Sequence, residues 1–216
     1  MTFFIESGLN ITGWVSAVIY IHTQAIPRWK DAGIVLEQAG GLRLVEENHS
    51  FNHQLWYAED RARRNDLGSD FVMQAKRAID QYNQARNDRV EMLDKWLAEK
   101  LRPAPHNDCA VHSETPGMMI DRLSILALKA YNMCLQTERD GVDSAHRATC
   151  MDKLAVIRAQ KDQLERCLSH MLTEVQQHTR TFRLYNQFKM YNDPNLNPEL
   201  YRQPSESQAV FEKNLS

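Results

Sequence analysis

The segment TPGMMIDRLSILALK, from Thr115 to Lys129, has the pattern of a buried central helix. Thr115 is a favourable helix N-cap because its hydroxyl can accept a hydrogen bond from a backbone N–H in the first turn. Pro116 suits the first helical position. Apolar residues then fill most positions up to Leu128, more than the single buried face of a surface helix needs. The pattern predicts a helix that runs to about Arg139 at the centre of a helical bundle.

Long segments with few helix breakers lie on both sides of this central helix. Gly141 ends it, and a further helix is expected from about Asp143 to His178. Because the connection is short, these two helices should form a long antiparallel hairpin. Before the central helix, glycines and prolines mark off helices over about 10–30, 50–66 and 69–101. We call these predicted helices 1, 2 and 3, and the central one predicted helix 4.

We therefore expect an all-α, single-domain helical bundle of about five main helices over residues 1–216. Residues 1–9 and 195–216 are expected to be irregular or extended tails. The C-terminal region should be an aromatic, proline-containing tail with Phe182, Tyr185, Phe188, Tyr191, Pro194, Pro198 and Pro204.

Composition excludes several classes of protein. The chain has 216 residues with only 8 glycines and 7 prolines, too few for an all-β protein with a turn about every 8–12 residues. Basic residues number 26 and acidic residues 28, so no nucleic-acid partner is expected. The apolar run Trp14–Ile21 is far shorter than the roughly 20 residues of a membrane span. No basic residue precedes it, as a secretory signal would require. We expect a cytoplasmic protein without a membrane partner.

Predicted helix 2 carries a polar stripe beside a large aromatic residue. Asn52, Trp56, Glu59 and Arg63 are spaced i, i+4, i+7 and i+11 and share one face. Trp56 indicates that this face points inward, so Glu59 and Arg63 should be partly buried and paired. The pair is either part of a functional site or a structural ion pair that fixes helix packing.

The same helix has two histidines at i, i+4. His49 and His53 could present two imidazoles to one metal, with Asp60 on about the same face. No HExxH motif accompanies them. Solvated or hydrogen-bonded histidines are the default interpretation, and a metal site is a weak alternative.

Predicted helix 3 has an unusual polar stripe beside its apolar one. Asparagine and aspartate are poor helix formers, because their side chains compete for backbone hydrogen bonds. Their presence in the middle of a long helix indicates that the side chains are used. The stripe consists of Asp80, Asn83 or Gln84, Asn87, Glu91 and Asp94.

Two of these acids could contribute to a metal site. Glu91 and Asp94 are spaced i, i+3, and Glu59 and Asp60 of predicted helix 2 could join them. Carboxylates from facing helices build divalent-metal sites in bundles. The pattern resembles the ExxE…ExxD arrangement of all-α nucleotide pyrophosphohydrolases, although Arg63 stands where a second acid would follow Glu59.

Charges interrupt the apolar start of predicted helix 4. Asp121 and Arg122 need partners on a core helix. Arg122 could pair with Glu59 or Glu91, or bind a phosphate or carboxylate in a bidentate manner. The helix N-terminus near Gly117 adds backbone donors suited to an anion.

Four blocks of the chain together carry a family resemblance. They are NxxLWxxEDxAR (52–63), KRxIDxxNQxRND (76–88), ETPGxxIDRLSILALK (114–129) and QFKMYNDP (187–194). These blocks resemble a bacterial family described as domain of unknown function 4254. The resemblance implies no established activity. Members of the family tend to be encoded near cell-surface glycan genes, which implies a sugar or sugar-nucleotide context by association alone.

The patterns and the resemblance together predict a bacterial cytosolic protein with a polar site between predicted helices 2, 3 and 4. It is expected to be an enzyme or binder for an anionic small molecule, such as a sugar phosphate or a nucleotide, in cell-surface glycan metabolism. A divalent metal is the cofactor to consider. The catalytic candidates are Glu59, Asp60, Asp88 and Glu91, and the ligand-binding candidates are Asn52, Arg63, Arg77, Asp80, Asn83, Arg86, Asn87, Asp121 and Arg122.

Two alternatives stay open. The protein could be a non-catalytic helical scaffold or a homodimeric interaction protein, in which the polar stripe is structural. It could also be a metal-dependent enzyme similar to the nucleotide pyrophosphohydrolases.

Overall fold

The computed structural model describes residues 4–5, 8–188, 190 and 193–201. The chain divides into two units, Met1–Tyr185 and Asn186–Ser216. The first unit contains β1 (Phe4–Ile5), β2 (Gly8–Leu9), α1 (Ile11–Ala32), α2 (Gly40–Ala62), α3 (Ser69–Leu101), β3 (Ala110–His112), α4 (Pro116–Thr137), α5 (Ser144–Gln176) and β4 (Arg180–Phe182). The second unit contains one short helix, α6 (Pro198–Tyr201), among its described residues. The expected all-α class is confirmed.

α4 lies at the centre of the first unit, as its sequence predicts. It contacts α1, α2, α3 and α5. Thr115 caps it, because its Oγ1 accepts a hydrogen bond from the backbone N–H of Met118 at 3.2 Å. Burying a large apolar side chain stabilises the fold by about 1.5–3 kcal/mol. The core around α4 includes Trp14, Val18, Leu93, Leu97, Ile120, Leu123, Leu168 and Leu172.

α2 begins at Gly40 and not near Ser50, where the sequence analysis places it. Two adjacent glycines look like a break, but Gly41 is the point at which α2 meets α3. A Cβ at Gly41 would lie 2.6 Å from the ring of Trp96. The first half of α2 also buries polar residues, Glu46, Asn48 and His49 among them. Because these buried residues are polar, the inner face of this part of α2 shows no apolar periodicity in the sequence.

Helices α2 and α3 pack antiparallel. The start of α2 meets the end of α3 at Gly41 and Trp96. The end of α2 meets the start of α3 in an apolar cluster with Ala58, Ala62, Ala75 and Ile79. α4 and α5 pack along each other across the connection at 138–143, which confirms the predicted hairpin. Asp143 caps α5 by accepting from the N–H of His146 at 2.7 Å.

Two small sheets accompany the helices. β1 and β2 pair antiparallel, and β3 and β4 pair parallel with Val111 opposite Thr181. Strands of two or three residues carry no alternating pattern that a sequence could display. Of the expected aromatic tail, Phe182 is buried in β4 and Phe188 is exposed, while Tyr191 and Pro204 lie outside the described residues.

Among the described helices, none combines the length and the apolar character that a membrane span requires.

Candidate functional site

A buried polar network joins α2 to α4. Asn48 and Asn52, one turn apart on α2, each donate from Nδ2 to Oδ1 of Asp121 at 2.9 Å. Nδ2 of Asn52 also donates to Oγ of Ser124 at 3.0 Å, and this oxygen lies 2.7 Å from Nδ1 of His49. A buried polar group without a partner costs about 1–3 kcal/mol. The network therefore fixes the packing of α2 on α4.

His49 shares a hydrogen bond with Ser124 inside this network. Oγ of Ser124 accepts from Asn52 and keeps a second lone pair and its own proton, so it can act as acceptor or donor towards Nδ1 of His49. Burial holds the pKa of His49 well below its usual value, with the neighbouring His22 and His53 adding to this and the backbone of His22 opposing it. Ser124 and His49 are both fully buried. The pair has the spacing of a nucleophile and its base, but it is closed to a substrate.

A cluster of rings in tilted and edge-to-face contact continues from His49 through the interior. The ring centroids of His22 and His49 lie 4.7 Å apart, and Trp29 lies 5.2 Å from His49 and 5.5 Å from His53. Burial lowers the pKa of His22 to about 3, with the charge of Lys161 adding to this, and burial also lowers the pKa of His53. Within the described part of the chain, no three His, Cys, Asp or Glu side chains are placed to hold a metal. His49 and His53 belong to this cluster of rings, in which burial favours the neutral imidazole.

A pocket of about 320 Å³ opens beside the network, between α2, α3 and α4. We call it the Arg86 pocket. It combines an aromatic side chain, an apolar lining and charges of both signs, the composition that suits a small polar ligand. Its lining consists of Asn52, Leu55, Trp56, Glu59, Asp60, Arg63, Arg86, Ile125 and Leu128.

Arg86 is the partly buried cation of this pocket. Its side chain is 26% exposed, and its Nε lies 3.5 Å from Oδ1 of Asp121. This Nε is buried and makes no hydrogen bond to any described residue. Asp121 already accepts from Asn48 and Asn52, so it holds Arg86 in place without satisfying it. A guanidinium in this state can bind a phosphate or carboxylate through two parallel hydrogen bonds.

The acids of the pocket lie at its rim. Arg63 Nη1 donates to a carboxylate oxygen of Glu59 at 3.0 Å, and the two side chains are 68% and 41% exposed. The predicted pair is thus formed, but it is more exposed than expected. Exposed ion pairs contribute only about 0–1 kcal/mol, so this pair can open for a ligand at little cost. Asp60 beside it is also exposed.

The remaining candidates of α3 are spread over its surface. A helical stripe shows which residues share a face, but a 33-residue helix meets different neighbours along its length. Of the expected residues only Arg86 reaches the pocket from α3. Arg77, Asp80 and Asp88 are exposed, Asn83 and Glu91 are half-buried, and Asn87 is buried.

The four acids that could have formed a metal site do not converge. Glu59 and Asp60 line the Arg86 pocket, whereas Glu91 and Asp94 do not. Among the residues that the structure describes, no acid-rich group suited to a metal is present. The expected arrangement similar to the nucleotide pyrophosphohydrolases is therefore not formed by these residues.

The N-terminus of α4 is occupied by the chain itself. Oδ1 of Asp94 accepts from the N–H of Gly117 at 2.6 Å, and a Cβ at Gly117 would lie 2.7 Å from this oxygen and 2.8 Å from the carbonyl oxygen of Val90. Burial raises the pKa of Asp94 to about 6, Glu91 adds to the rise, and hydrogen bonds from Thr115 and Gly117 oppose it. The anion site expected near Gly117 is thus filled by a carboxylate of α3.

Arg122 does not join the site. It is exposed on α4 and pairs with Glu114, and not with the expected Glu59 or Glu91. Consecutive helical residues point about 100° apart, which separates Arg122 from its inward neighbour Asp121. Of Asp121 and Arg122, therefore, only Asp121 points inward and needs a buried partner.

The structure adds residues that the sequence analysis missed. Asn48 lies one turn before Asn52, and extending the stripe of predicted helix 2 by four residues would have found it. Ser124 lies three residues after Asp121 and shares its face. His22 gave no signal, because it lies in an apolar run and its role depends on which helix covers it.

The comparison with protein families covers the part of the chain that contains the buried network and the Arg86 pocket. The family DUF4254, described as a protein of unknown function, matches residues 42–184. This range includes Asn48, Arg86 and Ser124 but not the tail block at 187–194, of which residues 189, 191 and 192 lie outside the described residues. No curated protein and no solved structure matches the chain. Since the matched range covers more than half of the 216 residues, the chain belongs to the DUF4254 family.

Proposed function

We propose that this protein binds an anionic small molecule in the Arg86 pocket. One observation carries the proposal, the state of Arg86. Its side chain is three-quarters buried and lies at an ion-pair distance from Asp121, yet its buried Nε has no hydrogen-bond partner among the described residues. Buried donors normally have partners, so an acceptor in the pocket is the expected complement.

The rest of the pocket supports a ligand with one anionic end and a hydroxyl-rich remainder. Trp56 offers an aromatic face on which a sugar or a base can pack. Glu59 and Asp60 disfavour a second anionic group at the rim, but they can accept hydrogen bonds from hydroxyl groups. A sugar phosphate fits this distribution, and a nucleotide is the next class to test. The association of the family with cell-surface glycan genes supports the same choice.

The protein would bind this ligand in the cytoplasm, either as a binding protein or as an enzyme that converts it. In an enzyme, Glu59 or Asp60 would be the general base, because both line the pocket. Asp88 and Glu91 do not line it and have no role in the reaction under this proposal.

A thermal-shift screen tests the proposal. Glucose 6-phosphate, UMP and UDP-glucose are added to the wild type, to Arg86→Gln and to Arg158→Gln, a control at an exposed position on α5. We expect a rise in Tm for at least one ligand with the wild type and the control. A ligand at 100 times its Kd stabilises by about 2.7 kcal/mol, and the gain that glucose 6-phosphate gives should vanish in Arg86→Gln.

The scaffold alternative makes the opposite prediction. The mutual hydrogen bonds of Asn48, Asn52, Asp121 and Ser124 favour it, because a satisfied network can serve packing alone. No shift with any of the ligands, together with a dimer in sedimentation, would replace the binding proposal by a homodimeric scaffold.

A further inference from the structure

We infer a second anion site, separate from the Arg86 pocket, at the N-terminus of α2, which takes a phosphate monoester carrying a flat aromatic group. A pocket of about 760 Å³ opens there between α1, α2 and α3. We call it the α2 N-terminal pocket. Its lining includes Trp14, Tyr20, Gly40, Gly41, Trp96 and Lys100.

The start of α2 presents donors without a cap. The N-cap residue Ala39 has no side chain that could accept a hydrogen bond. The first N–H groups of any α-helix have no partner within the helix, and the helix dipole makes this end attractive to an anion. The N–H groups of Glu37 and Gln38, just before the helix, do have an acceptor, because each donates to the carboxylate of Glu46 at 2.8 Å. The first turn of α2 therefore faces the pocket with its donors uncapped.

A second observation, independent of the helix terminus, is the state of Trp14. This residue is only 1% exposed and lines the pocket, and its buried Nε1–H has no hydrogen-bond partner among the described residues. An unpartnered buried donor costs about 1–3 kcal/mol. An anionic oxygen in the pocket would supply the missing acceptor.

The surrounding charges and rings define the ligand class. Lys100 adds a positive charge and lies 6.0 Å from the ring centroid of Trp96. The acid of the lining, Glu37, pairs with Arg28, which also contacts the buried Glu46. The rings of Trp14 and Trp96 are stacked with centroids 5.9 Å apart, and Tyr20 adds a third aromatic side chain. These walls favour a flat ring beside the phosphate.

Room at this site depends on a glycine. The Trp96 ring approaches the position of a Cβ at Gly41 to 2.6 Å. Gly40 has a φ of +59°, which residues with a Cβ rarely adopt. The two glycines thus allow the backbone donors, the indole rings and a ligand to come together.

Isothermal titration calorimetry with phenyl phosphate and with inorganic phosphate tests the inference. All measurements use Arg86→Gln as the parent, so that the pocket of the proposed function contributes no binding. We expect phenyl phosphate to bind more tightly than inorganic phosphate. Trp14→Phe, which removes the indole N–H, and Lys100→Gln should each weaken phenyl phosphate by about tenfold. Lys153→Gln, at an exposed position on α5, should bind like the parent.

Several results would overturn the inference. These are no binding of phenyl phosphate, equal affinity for the two probes, and unchanged affinity in both Trp14→Phe and Lys100→Gln. Lys100 is exposed, so its variant decides alone if Trp14→Phe does not fold. Because the parent lacks Arg86, failure here leaves the proposed function untouched, and failure of the proposed function leaves this site untouched.

Discussion

The fully buried His22 makes the protein sensitive to acid, and His22→Leu should remove a defined part of that sensitivity. His22 is 0% exposed, and neither ring nitrogen has a hydrogen-bond partner among the described residues. Burial and the charge of Lys161 lower its pKa from 6.5 to about 3. A group with a lowered folded-state pKa contributes stability that is fully present above its unfolded-state pKa and is lost as the pH falls towards the folded value. For His22 this window runs from 6.5 down to about 3.

The size of the effect follows from the linkage relation. At pH 5.0, the unfolded state gains a proton that the folded state cannot accept at His22. With 1.36 kcal/mol per pKa unit and about 1.5 units between 6.5 and 5.0, the loss of unfolding free energy is about 2 kcal/mol. His49 adds a loss of the same sign, because its pKa is also lowered.

Urea unfolding followed by far-UV circular dichroism at pH 7.5 and pH 5.0 measures this loss of unfolding free energy. The fall in unfolding free energy between the two pH values should be smaller by about 2 kcal/mol in His22→Leu than in the wild type. Any packing cost of leucine is present at both pH values and cancels in the difference. The control is His106→Leu, in the exposed loop after α3. Its unfolding free energy should fall by as much as that of the wild type. An equal fall in His22→Leu and the wild type would refute the assignment of His22 as a buried neutral imidazole.

Three further predictions concern the contacts of α4. Asp94 has a raised pKa of about 6, so its contribution is full below 3.8 and is lost as the pH rises through 6. Asp94→Asn keeps an acceptor for Gly117 but has no titrating carboxyl. Between pH 5.0 and 7.5, its unfolding free energy in urea should therefore rise by about 1–2 kcal/mol relative to that of the wild type. The absence of this relative rise would contradict the prediction. Gly117→Ala should lower the unfolding free energy by about 1–3 kcal/mol, because its Cβ would approach Asp94 and a backbone oxygen within 3 Å; a neutral result in chemical denaturation would show that the helices separate freely. Ser124→Ala should cost about 1–3 kcal/mol by leaving Asn52 and His49 short of a partner, whereas Thr149→Ala, exposed on α5, should stay within about 0.5 kcal/mol of the wild type. Equal melting curves for these two variants would show that the network does not stabilise the fold.

The helices could be predicted because their ends are marked chemically. Thr115 caps α4 as predicted, and Asp143, near which the next helix is predicted to begin, caps α5. The start of α2 could not be predicted in the same way. Gly41 is there because a ring of α3 packs on it, and a contact between distant segments has no local signal.

The candidate site could be predicted in part, for a related reason. The spacing of Asn52, Glu59 and Arg63 places them on one face, and the structure finds all three along the Arg86 pocket. On α3 the same kind of spacing selected Asp80, which is exposed. Periodicity defines the faces of a helix, but only packing decides which face meets another helix and over what length.

Binding of an anionic ligand in the Arg86 pocket can be followed at the indole N–H signals of the protein. The four tryptophans separate the sites, because Trp56 lines the Arg86 pocket, Trp14 and Trp96 line the α2 N-terminal pocket, and Trp29 lies in the ring cluster around His49. The four signals are assigned by single Trp→Phe variants and followed by ¹⁵N–¹H NMR during a titration with glucose 6-phosphate. We expect the Trp56 signal to shift and saturate in the wild type and to stay in place in Arg86→Gln. A Trp56 signal that does not move in the wild type, or that moves equally in Arg86→Gln, would contradict it.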